Sequence, residues 1–263
     1  MADPSQITDF WNERACGEVY AQGDTLLGRL RQQEAARYRL EPYIFEFAKF
    51  HEARNKDILE VGVGMGADFL QFARQNPRHL VGIDASYRAV EFTQNRLSME
   101  GFSADVRVAD AEQLPFKQGA FDMVYSWGVL HHSCNPDRAI DEIMRVLRPG
   151  GCARIMIYHK YSIVGLALWI KYGLGRKSLS QVYAQHLESP GTHAYSVREA
   201  RRLFWFFSEA SIVTRLSVGD LMEGQAGQRH QGLALTLARR IWPRWLIRMF
   251  PGLGLFMLIE AKK

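Results

Sequence analysis

From Asp57 onward the chain alternates short apolar runs with helical stretches, a pattern that restricts it to a largely parallel sheet flanked by helices. The runs are Asp57–Val61, His79–Ile83, Val106–Ala109, Phe121–Ser126 and Cys152–Tyr158, followed later by Ile212–Val218 and Gly254–Ala261. Parallel strands joined by crossovers need right-handed connections, and such sheets bind ligands beyond the carboxyl ends of their strands. Residues 1–55 read as an N-terminal helical cap, with helices over Pro4–Glu13 and around Leu26–His51. Residues 56–263 then form one domain with an insertion at about residues 159–195. Asn135 and Pro136 start a helix that Pro149-Gly150-Gly151 stops, which places the fifth strand's start near Cys152. Ser196 and Glu199 form a capping box that opens a helix reaching Phe207.

Composition narrows the class. With 263 residues and 47% hydrophobic content the chain can bury a sizeable core. Its 33 basic and 28 acidic residues leave a charge of +5, which permits an anionic partner without demanding one. No segment joins a dense Lys/Arg face to base-stacking aromatics, so nucleic-acid binding is not expected. Three cysteines without a CxxC pair or a secretory leader suit a reducing cytoplasm. The apolar run Ile163–Ile170 falls far short of the roughly 20 residues that span a bilayer, so no membrane span is expected. The histidines lack HExxH spacing, and no metal is expected.

Chemistry concentrates at three strand ends. Glu60-x-Gly62-x-Gly64-x-Gly66 follows the first strand, where glycines let the chain turn tightly and a ligand approach the backbone. Asp84, with Ala85 behind it, ends the second strand and can accept both hydroxyls of an adenosine ribose. Asp110 and Ala111 close the third, beside the apolar Leu114-Pro115-Phe116, where a carboxylate can hold the adenine amino group. The glycines alone suit a dinucleotide equally well, with Ala67 in the final place of GxGxxA.

These segments, with Phe121-Asp122-Met123-Val124, Val129-Leu130-His131-His132 and Leu147-Arg148-Pro149-Gly150-Gly151, resemble class I methyltransferases of the type 11 group, which depend on S-adenosylmethionine (SAM). The similarity covers about Asp57 to Tyr158. It implies an α/β, Rossmann-like seven-stranded sheet of order 3-2-1-4-5-7-6, strand 7 antiparallel, with helices on both faces. It also implies that the glycine loop cradles the methionine part of SAM, that Asp84 holds the ribose, and that Asp110-Ala111 borders adenine. Ser126 and Trp127 would lie near the transferring methyl group. The product would be S-adenosylhomocysteine (SAH) and the acceptor a small molecule. A non-catalytic SAM- or SAH-binding module and an NAD-dependent oxidoreductase are the alternatives, the latter lacking a clear Tyr-x-x-x-Lys pair in the C-terminal half.

A methyl donor that is already activated asks the protein chiefly to align a nucleophile and exclude water. Where the nucleophile arrives protonated, His131, His132 and His159 are the candidate bases, with His131 and His159 put forward as catalytic. Tyr20, Tyr158 and Tyr195 are candidates to orient the acceptor. In the insertion, Tyr161, Leu166, Leu168, Trp169 and Tyr172 read as an apolar lid edged by Arg176 and Lys177. The basic aromatic stretch 239–248 leaves three readings open: core packing with solvated arginines, a substrate or partner surface, or peripheral contact with a membrane.

Overall fold

The computed structural model describes residues 3–223 and 239–263. Its strands are β1 (Asp57–Val61), β2 (His79–Asp84), β3 (Asp105–Val108), β4 (Phe121–Trp127), β5 (Leu147–Tyr158), β6 (Glu209–Arg215) and β7 (Phe256–Lys262). They form one sheet in the order β3-β2-β1-β4-β5-β7-β6. β7 is antiparallel to both β5 and β6, and the remaining pairs are parallel. This is the expected topology.

Alternation along the strands divides the core into two layers. Leu59 and Val124 face α6 (Pro136–Val146) and α9 (Val197–Leu203), while Ile58, Met123 and Tyr125 pack toward α3 (Ile44–Ala48), α4 (Ala67–Ala73) and α5 (Tyr87–Met99). Helix starts follow local chemistry. Asn135 accepts from Arg138 N ahead of Pro136, and Ser196 and Glu199 close a reciprocal capping box.

Four expectations are corrected. The stretch around Leu26–His51 is two helices, α2 (Leu26–Leu40) and α3, because Pro42 cannot continue a helix. β5 begins at Leu147, not near Cys152: Leu147 pairs with Phe121 and Cys152 with Met123, so Arg148–Gly151 bulge within the strand. Arg148 uses that bulge to clamp Asp57 and Asp122, each at 2.6 Å. α9 ends at Leu203, after which the chain turns to bury Phe204 and Phe207. β3 ends at Val108, leaving Asp110 in the following loop.

The insertion holds a helical pair, α7 (Ile163–Tyr172) and α8 (Leu179–His186). Gly165 permits their contact, since a Cβ there would meet the Tyr183 hydroxyl at 2.1 Å. That hydroxyl lies 2.8 Å from Ser162 Oγ, the cap of α7.

Candidate active site

The carboxyl ends of β1, β2, β4 and β5 open into a cavity of about 740 Å3, closed by α1 (Pro4–Glu13), α2 and α7. At one end lies the glycine loop. Gly62 has φ 83°, and a Cβ on it would come within 2.0 Å of Val129 Cγ2, so only glycine fits. Nothing lies within 4 Å of the Cβ position on Gly64, which leaves that turn open to a ligand. Gly62 N and Val63 N donate to the Ile83 carbonyl, tying the loop to β2.

Asp84 completes the tie. Its Oδ2 accepts from Gly64 N at 3.0 Å and its Oδ1 from Ser86 N at 2.9 Å. Burial raises its pKa, against the lowering effect of those backbone donors. With Ala85 N as a third backbone donor, the carboxylate keeps part of its acceptor capacity for a ligand hydroxyl. Glu60 also lines the cavity; burial, reinforced by Asp68, lifts its pKa well above the ordinary range, and its Oε2 is buried without a hydrogen-bond partner. Ala85, Asp110, Ala111 and Trp127 line the same space. Asp110 is held in place by Glu112 N at 2.8 Å.

Two expected residues lie elsewhere. Gly66 caps α4 against Thr93, and Ser126 is fully buried in β4, outside the cavity wall.

The histidines are redistributed. His131 is fully buried, neither ring nitrogen has a hydrogen-bond partner among the described residues, and burial followed by repulsion from His132 pushes its pKa well down. It packs against Tyr158 with the rings tilted and their centroids 3.8 Å apart, and does not line the cavity. His159 likewise lies off the cavity, with Nδ1 3.1 Å from the Gly254 carbonyl and its pKa lowered by burial. Neither is placed to act on a molecule in that space, because a base must reach the proton it takes. His132 does form part of the wall.

Thr192 Oγ1 donates its hydrogen to the Ser189 carbonyl, so toward His132 Nδ1, 3.2 Å away, it accepts. Ser189 Oγ stands 2.8 Å from the same nitrogen. His132 Nε2 faces Glu188 Oε2 at 3.3 Å, and Glu188 accepts from the Tyr158 hydroxyl at 2.7 Å. Glu188, 28% exposed, is the more open of the two.

Sequence reasoning also missed the roof. Arg37 of α2 makes a two-pronged pair with Asp68, at 2.8 and 2.5 Å, and lies 5.5 Å over the Trp127 ring. Burial opposes the charge on both partners, yet their mutual attraction raises Arg37 and lowers Asp68. Glu41 lies 3.8 Å from Arg37, and burial pushes its pKa up to about 7. Cys16 opens onto the cavity, its thiol pushed up to about 12 by burial and then by Glu188. No motif marks these residues; Arg37 and Glu41 read from sequence as an ordinary charged helix face.

The lid expectation changes too. α7 turns Ile163, Val164, Ala167 and Leu168 to the cavity, while Trp169 donates to the Lys177 carbonyl and Tyr172 stacks on His186. Of the apolar residues expected in the lid, Leu168 alone is in the wall.

Residues 58–151 match a family model described as a methyltransferase domain. That segment, little more than a third of the chain, is similar to a methyltransferase domain. The chain's fold is that of geranyl diphosphate C-methyltransferase from Streptomyces coelicolor A3(2), solved with Mg2+, geranyl diphosphate and SAH. The TM-score is 0.62 at 17% identity, over 98% of this chain and 97% of that one. Norajmaline N-methyltransferase of Rauvolfia serpentina is 29% identical over 176 residues, 60% of each chain. An O-methyltransferase of Aspergillus nomiae NRRL is 34% identical over 119 residues, 44% of this chain and 52% of that protein. The chain thus spans little more than half the length of these curated relatives. Beyond the matched residues, α1, α2 and residues 163–188 also contribute to the cavity wall.

Proposed function

We propose that the chain is an enzyme that transfers the methyl group of SAM to a small-molecule acceptor, releasing SAH. The observation that carries this reading is one continuous cavity joining the open glycine loop, Asp84 and Asp110 to a second chamber under α7. The donor set fits SAM: open backbone at Gly64, a carboxylate with spare lone pairs at Asp84, and a loop carboxylate at Asp110. SAM supplies an already activated methyl group. The protein's own work is therefore alignment and exclusion of water.

Trp127, Met156, Leu168 and Phe256 form apolar walls of the acceptor chamber, which suits a largely apolar molecule. Glu188 is the group that takes a proton from the acceptor. His132 Nε2 stands 3.3 Å from the Glu188 Oε2 that receives the proton. Tyr158 holds the carboxylate in position. Acids along the wall, among them Glu41 and Glu188, disfavour a polyanionic acceptor such as RNA. The relatives named for norajmaline N-methylation and for O-methylation support a small acceptor.

Calorimetry with SAM, SAH and NAD, followed by an acceptor screen with methyl-labelled SAM, tests the reading. Binding of NAD without SAM overturns it, and SAM binding without a product in any acceptor class favours a non-catalytic binding module.

A further inference from the structure

Two segments that are distant in sequence share an unusual character. Between Lys160 and Leu187 there is no Asp or Glu, and none between Glu223 and Glu260. Both display large apolar side chains to solvent: Tyr161, Leu166 and Leu174 around α7, and Ile241, Trp245 and Met249 near the short helix Arg244–Ile247. Ile241 and Trp245 are 84% and 72% exposed, far beyond what scattered surface residues require. A groove of about 530 Å3 joins the segments, with Tyr161, Leu166, Trp169 and Leu179 on one side and Leu253 on the other. The two segments therefore meet in a face that Leu253 joins.

That face is cationic. Lys171 and Arg176 sit beside the exposed residues of α7, and Arg240 precedes Ile241; all three are exposed, and none has an ion-pair partner among the described residues. Lys171 instead lies 4.9 Å from the centre of the Tyr172 ring. Arg248 adds a charge partly matched by Glu223. Apolar side chains flanked by Lys171, Arg176 and Arg240, with Glu199 and Glu223 engaged by Lys160 and Arg248, complement a surface that is oily within and anionic outside. Among the described residues no helix is long and apolar enough to cross a membrane, so contact would be at the surface.

We propose that this face docks on an anionic lipid bilayer. α7 would lie against the headgroups while its opposite side, with Ile163 and Leu168, walls the cavity. Trp242 of the same basic stretch also lines the cavity, so the chamber adjoins the docked face. An amphiphilic acceptor could then pass from the lipid into the chamber, a corollary that rests on the proposed methyl transfer. The docking itself does not.

The test is co-sedimentation of the intact protein with phosphatidylcholine vesicles, with and without phosphatidylglycerol, at low and high salt. Binding is expected only with phosphatidylglycerol and should weaken as salt rises. The double variant Lys171→Gln/Arg240→Gln should bind about thirty-fold less tightly, from roughly 1 kcal/mol per basic residue. Trp245→Ser/Met249→Ser should abolish binding while leaving thermal unfolding and SAH affinity unchanged, since both side chains are exposed. Equal binding to neutral vesicles, or no binding to either kind, overturns the proposal. So does self-association that is lost in Trp245→Ser without any vesicle binding, which would make the face a contact between two copies.

Discussion

Replacing Asp84 with Ala tests the cofactor end of the cavity most directly. The substitution removes a carboxylate that accepts from Gly64 N and Ser86 N at 3.0 and 2.9 Å. Hydrogen bonds to a charged group contribute roughly 1.5–3 kcal/mol each, but water can reach this partly exposed site, so a stability loss of about 1–2 kcal/mol is expected. The ligand's ribose hydroxyls lose the same acceptor. Even a contribution of about 1.4 kcal/mol from those contacts lowers affinity tenfold, and that is the minimum expected for SAM and SAH. Because the carboxylate also holds the Gly64 loop, calorimetry should compare SAH with adenosine and methionine separately. Direct contact weakens SAH and adenosine while largely sparing methionine; a loop effect weakens the methionine end. An unchanged SAH affinity in the folded variant, or a loss confined to methionine, would refute the ribose assignment.

Glu188→Gln should lower kcat by roughly 10²-fold or more with SAH affinity intact, and an equal rate at all pH values would remove Glu188 as proton acceptor. The raised Glu41 pKa means the folded state binds more protons than the unfolded state between its ordinary 4.5 and about 7. Stability should therefore fall by about 3 kcal/mol as pH rises through that window and then level, a slope that Glu41→Gln should flatten in denaturant titrations. Trp169→Ala should cost roughly 2–3 kcal/mol of stability, below the full-core range because the ring is half-buried, whereas Leu168→Ala should change acceptor KM; the reverse assignment would restore the original lid reading.

The central sheet was legible because short apolar runs alternate with helical stretches, and the strand-end acids could be placed from those runs. The start of β5 was not. Pro149-Gly150-Gly151 looks like a helix stop, and only the pairing of Leu147 with Phe121 shows that the strand has already begun. Likewise the adjacent His131 and His132 are indistinguishable by type, and the 3-10 turn Leu130–His132 decides which one meets the cavity. Glu188 and Arg37 reach the site through tertiary packing of the insertion and α2, for which local spacing gives no signal.

β7 is the last strand in sequence yet occupies an interior place in the sheet, and β6 touches the sheet only through it. During synthesis the order of arrival and the order in space therefore conflict. A nascent chain that ends before Phe256 would hold a formed parallel half whose β5 edge is bare, with β6 unanchored. Such an edge invites pairing with a neighbouring chain on the same ribosome cluster. Insertion of β7 is then the step at which the molecule either closes on itself or exchanges strands with another.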